Sequence, residues 1–260
     1  MRPEIKLGLR GFIIAIAAGV AFAFVIGSLD YVWGTAKDRT GILGWLFPTH
    51  SAYPDMPLED IGARLAELMA DQSYRREPGP PRRLEIEGCL VTVTTRDHGR
   101  QICEMENASY WKTQEFFDLR LLVTDPRKVT VSSITHPRAV GAAAIEIPMR
   151  DEAARRLRPL YRLFSDEVTR EMRRDTIHGT YDLPARMERL RAFVRDELTD
   201  RLFTRHGERT FYCEAGVLLA PSRHWRAVRL FTSEAHAREV VELLHAHAVR
   251  ACPFDPAALE

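Results

Sequence analysis

Hydrophobic and polar positions follow three patterns along the chain, and each predicts a different element. From Gly11 to Leu29 there is no alternation at all, because 19 residues pass without a charge. A helix of that length rises about 28 Å, close to the hydrocarbon thickness of a bilayer. The apolar run continues through Phe24-Val25-Ile26, beyond the small-residue triplet Ala21-Phe22-Ala23, so an uncleaved membrane anchor is expected rather than a cleaved leader. Tyr31 and Trp33 follow at the position where aromatic residues anchor at the headgroup level. Within the span, Gly11, Ala15, Gly19, Ala23 and Gly27 recur at every fourth position and share one slowly drifting face. Lipid gives no hydrophobic drive for helix pairing, so small residues that let two backbones approach predict a partner transmembrane helix, from a second copy or another protein.

The cations around this span set its expected direction. Arg2, Lys6 and Arg10 precede it, and Lys37 and Arg39 follow, which places residues 1–10 in the cytoplasm and the bulk of the chain outside it. Residues 30–80 read as a juxtamembrane linker with a short helix. Gly34, Gly41, Gly44, Pro48, Pro54 and Pro57 punctuate it, and the apolar hexamer Ile42–Phe47 is expected to dock on the folded domain.

The second pattern is helical. Ile61, Leu65, Leu68 and Met69 predict a helix over Leu58–Gln72, with Glu59 and Asp60 at its positive end. Leu157, Leu160, Phe164, Val168 and Met172 predict another, with Pro159 bending or starting it. Leu183, Met187, Leu190, Val194, Leu198 and Leu202 predict a third behind Pro184. Asp151/Arg155, Glu152/Arg156 and Asp166/Arg170 are four apart and can pair along their outer faces. Val240, Val241, Leu244 and Val249 predict a closing helix capped by Thr232-Ser233-Glu234.

The third pattern has a period of two. Leu84–Thr95 reads as a strand that turns at Arg96–Gly99 and returns through Gln101-Ile102-Cys103. Phe117, Leu119 and Leu121 predict a hairpin with Val129 and Val131 across Asp125-Pro126. Ala143–Ile147, Thr210–Leu219 and Trp225–Phe231 complete the strands. The expected fold class is therefore α+β: a single transmembrane helix at 11–29, then an antiparallel-sheet domain over 81–252. A helical insertion at 150–206, a C-terminal helix and a tail at 253–260 complete it. A last strand passing directly into an amphipathic helix resembles the ending of pleckstrin-homology-like barrels, over Leu84–Ile147 and Thr210–Ala251. That resemblance implies barrel elements and carries over no functional residue.

Composition narrows the chemistry without naming it. The hydrophobic share of 45% and charged share of 28% are those of a folded protein, and a net charge of +1 gives no field favouring nucleic acid. The cations are nearly all arginine, which is read as compositional rather than as a phosphate site. Cys89, Cys103, Cys213 and Cys252 are read first as buried thiols. Cys89 and Cys103 fall too far apart on the expected hairpin, so Cys213–Cys252 is the possible disulfide, formed where the closing helix crosses its neighbouring strand. His236, His245 and His247 are assigned to a solvated helix face. His245 and His247 lie about 200° apart around the axis, so no metal site is expected. There is no phosphate-cradling loop, no nucleophile elbow and no cofactor fingerprint. Asn107-Ala108-Ser109 matches a glycosylation acceptor.

These features describe a membrane-anchored, non-catalytic binding or assembly protein. One alternative is an anchored hydrolase whose site forms only in the fold from groups such as His178, Asp182, His206 and Glu208. The other is a cytoplasm-facing domain that binds anionic lipid through its arginine-rich helices.

Overall fold

The computed structural model describes residues 53, 55–72, 82–105, 108–135, 140–178 and 182–254. The predicted span 11–29 with its Gly/Ala face, Tyr31 and Trp33, the hexamer 42–47, the Pro-Gly-Pro-Pro run at 78–81 and Asn107 all lie outside these residues. Among the described residues no helix is long and apolar enough to cross a membrane.

The domain is α+β, with two antiparallel sheets and four described helices. Helix α1 (Leu58–Ala70) forms where the 3.6-residue pattern predicts, and Ile61, Leu65, Leu68 and Met69 are its buried face. Strand β1 (Arg83–Glu87) then turns back into β2 (Leu90–Asp97) through Gly88-Cys89, where Gly88 adopts φ +58°. Leu84–Thr95 is thus a hairpin rather than one strand. The left-handed glycine permits the reversal eight residues earlier than the turn expected at Arg96–Gly99. Gln101–Cys103 lie in a 3-10 turn instead of a returning strand.

Strand β3 (Tyr110–Asp118) pairs with β2 on one side and with β6 (His206–Tyr212) on the other. The hairpin expected across Asp125-Pro126 does not form, although the turn itself is present, closed by Lys128 N–H donating to the Asp125 carbonyl at 2.8 Å. The Asp118 carboxylate accepts the Arg120 N–H at 2.9 Å and stops β3 in a 3-10 turn. Leu119 and Leu121 are buried as their alternation implies, but in that turn. Strands β4 (Thr130–Ile134), β5 (Ala142–Pro148) and β8 (Ala227–Ser233) form the second sheet. The first sheet runs β1-β2-β3-β6-β7, where β7 is Gly216–Pro221, and the second β4-β5-β8. Thr210–Leu219, read as one strand, folds back before Gly216 into β6 and β7, with Gly216 at φ +71°.

Between β5 and β6 stand α2 (Asp151–His178), which contains Pro159, and α3 (Leu183–Glu197). Phe164, Met187, Leu190, Leu198, Phe203 and Leu218 form a core of their own between these helices and β7. Glu171 and Asp175 of α2 meet Arg189 and Arg186 of α3, which ties the two helices together. Of the residues expected to pair four apart, Arg155 Nε donates to the Asp151 main-chain carbonyl at 3.4 Å, while Arg156 reaches Asp200 at 3.0 Å and Arg170 pairs with Glu167. Strand β8 passes directly into α4 (Glu234–Ala251), as expected. Helix α4 packs with α1 over the main core, which includes Phe117, Ile145, Leu230, Val240 and Leu244. Arg64 of α1 grips the Glu239 carboxylate of α4 through both oxygens, at 2.7 and 3.1 Å.

The cysteines are not thiols, and Cys213 does not bond to Cys252. Cys89 pairs with Cys252 and Cys103 with Cys213, at Cα separations of 5.5 and 5.3 Å. The early β1–β2 turn carries Cys89 to the end of α4, where His247 Nε2 also donates to the Gly88 carbonyl at 2.9 Å. The β3–β6 register sets Tyr110 against Tyr212, and Cys213 N–H donates to Ser109, which brings Cys213 to the 3-10 turn holding Cys103. The solvated histidine face is also corrected. His247 is buried, and His245 is half-buried with Nδ1 3.3 Å from the Thr124 hydroxyl.

Candidate functional site

A cleft of about 530 Å³ opens between the two sheets. Its floor is apolar, built from Val93 of β2, Leu230 and Phe231 of β8, and Met69 at the end of α1. The rest of its lining includes Arg82, Arg96, Arg223 and Arg229, His98 and His224, and one acidic residue, Glu115.

Local backbone irregularity produces this lining. On β2, Thr94 pairs with Gln114 and Arg96 with Thr113, which leaves Thr95 as the extra residue of a β-bulge. A bulge breaks strict alternation, so the consecutive residues Thr95 and Arg96 both face the cleft. The bulge is held by the Thr95 and Thr113 hydroxyls, 2.8 Å apart. Arg223 and His224 come from the short connection between β7 and β8, where the Ser222 hydroxyl accepts the His224 N–H at 3.0 Å.

Glu115 stands directly opposite Glu208 in the β3–β6 ladder. Partial burial and the facing Glu208 push the Glu115 carboxyl up to about 7, with burial the larger effect. Arg223 and Arg82 oppose that shift without cancelling it. Glu208 also accepts a bond from the Thr210 hydroxyl at 3.3 Å. The His224 ring is held below its usual range by burial first and by Arg223 and Arg229 next. Its Nε2 accepts the Arg223 Nε–H at 3.1 Å, a bond that the neutral ring makes.

Comparison of the chain with known protein families, characterised proteins and solved structures finds no match.

Partners distinguish the guanidinium groups. Arg229 is neutralised by Glu146 at 2.9 Å. Arg82 lies over the Phe231 ring, 5.2 Å from its centre, and donates to the Phe231 carbonyl at 3.1 Å. Arg96 bonds to the Tyr110 hydroxyl and Arg223 to the His224 ring, both neutral partners. Two positive charges at the rim are thus held in place without being neutralised by those bonds. Among the described residues no group of three side chains could hold a metal ion.

Of the residues considered for hydrolysis, Asp182, His206 and Glu208 do not line this cleft. Asp182 is exposed and caps α3 by accepting the Ala185 N–H at 3.0 Å. His178 ends α2. His206 is buried beneath the β7–β8 connection, its Nε2 3.3 Å from the His224 carbonyl, and burial drives its ring down to about 4. Glu208 acts on the cleft only through Glu115. The sequence signals overlooked were Glu115 within an alternating strand, and the arginines before β1 and after β7. None of them belongs to a local motif.

Proposed function

We propose that this chain is a single-pass membrane-anchored protein whose described domain lies outside the cytoplasm and serves as a non-catalytic binding module. The binding reading is carried by the cleft between the sheets, whose volume is in the range of small-ligand sites and whose apolar floor meets a few polar groups. Placement outside the cytoplasm is supported by two disulfides that use all four cysteines, since such bonds persist in oxidising compartments. The charge-free span at 11–29 supplies the tether, and its Gly/Ala face supplies the contact for a partner helix.

Topology is the test. Full-length chains carrying alkaline phosphatase or green fluorescent protein at the C-terminus should give an active phosphatase and a dark fluorophore. Maleimide labelling of the denatured, unreduced chain should find no thiol. A bright fluorophore together with four labelled cysteines would place the domain in the cytoplasm and overturn the reading.

A further inference from the structure

We propose that the cleft binds a small organic anion, a phosphate or carboxylate group carried on a short apolar body, with its charge at Arg96 and Arg223 and its body on the floor. The inference rests on reading the cleft as a binding site and adds the chemical class of what it takes. Charge carries it furthest. Arg96 and Arg223 project from different elements toward one space, and their hydrogen bonds go to a phenol and a neutral imidazole. A guanidinium whose neighbours are neutral retains its attraction for an anion and still has N–H groups in fork geometry to meet two oxygens.

The carboxyl group among them, Glu115, acts on Arg223 and Arg82 and offsets this charge only in part near neutrality. Glu115 faces Glu208 and is partly protonated near neutrality, so it can donate a proton to a ligand oxygen where an ordinary glutamate would repel it. The floor explains why the ligand is more than a bare ion. Val93 and Leu230 are buried beneath it, and the half-buried Phe231 ring offers the apolar area that a small hydrocarbon body would cover. A cationic ligand would have to take its place beside these guanidinium groups with a half-neutral carboxyl as its counter-charge.

The full chain in nanodiscs of zwitterionic lipid is titrated calorimetrically with phenyl phosphate, benzyl alcohol, benzylamine and inorganic phosphate. Phenyl phosphate should bind one to one, at least tenfold more tightly than benzyl alcohol or inorganic phosphate. Arg223→Glu should weaken it more than tenfold and Arg223→Lys much less; Arg223 is exposed, so neither replacement empties a packed position. Tighter binding of benzylamine would overturn the ligand class while leaving the cleft a binding site. Equal binding of inorganic phosphate would remove the apolar body. Phenyl phosphate binding that ignores both Arg223 variants, or no binding by any probe, would remove the cleft itself. Discs containing phosphatidylglycerol separate two sources of the same chemistry. Lost phenyl phosphate binding there assigns the cleft to a lipid headgroup, and retained binding assigns it to a soluble anion.

Discussion

Replacing Cys89 and Cys252 by alanine opens the longer of two nested covalent loops, and the nesting sets the magnitude. The two cysteines are 163 residues apart, and alone their bond would lower unfolded-chain entropy by about 5 kcal/mol at 25 °C on the chain-entropy account. The bond between Cys103 and Cys213 lies inside that loop and shortens it. With the inner bond intact, the path from Cys89 to Cys252 covers about 14 residues on one side and about 39 on the other. Removing the outer bond then costs about 4 kcal/mol. Removing it from a chain already lacking the inner bond costs about 5, so the second loss exceeds the first. Urea unfolding of the full chain, followed by tryptophan fluorescence, reads this directly. For a slope of about 2 kcal/mol per molar, the midpoint should fall by roughly 2 M. Peptide mapping under non-reducing conditions should recover Cys89 with Cys252 and Cys103 with Cys213. A shift below about 0.5 M, or a peptide joining Cys213 to Cys252, would refute the nested arrangement.

Glu115 and His206 make opposing contributions to acid stability. Glu115, raised from 4.5 to about 7, holds a proton in the folded chain that the unfolded chain releases, so its contribution falls by up to about 3 kcal/mol as pH rises through that window. His206, lowered from 6.5 to about 4, refuses a proton that the unfolded chain accepts, so its contribution falls by a similar amount as pH drops from 6.5 toward 4. Their slopes oppose between pH 4.5 and 6.5. Glu115→Gln should therefore leave a chain that loses urea stability on acidification more steeply than wild type, and His206→Gln the reverse. Differences from wild type that stay constant with pH would contradict both assignments. Arg189→Met should cost about 2 kcal/mol by leaving the buried Glu171 carboxylate with Arg174 at 3.7 Å, and adding Glu171→Gln should restore most of it. A double variant less stable than the single would show that the pair itself stabilises the helices.

Much of the secondary structure was legible because it depends on near neighbours. The buried faces of α1 and α3 and the passage from β8 into α4 follow from periodicity, which expresses the geometry of a single element. The misread strands share one cause. Leu119 and Leu121 are buried in a turn, and Gly88 and Gly216 reverse the chain inside stretches that alternate like continuous strands. Alternation records burial, and burial does not say which strand lies alongside.

The cleft was not legible because its residues come from six places in the chain. A bulge at Thr95 turns Arg96 inward, and the register of β3 on β6 sets Glu115 against Glu208. Both are matters of pairing between strands far apart in sequence. The chain by itself determined the α+β class, the helix faces and the charge-free span with its Gly/Ala spacing, because these are local patterns of size and polarity. Tertiary structure alone decided the two-sheet division, the partners of the four cysteines and which of the many arginines converge. Each of those depends on what long-range packing brings together, and no local pattern encodes it.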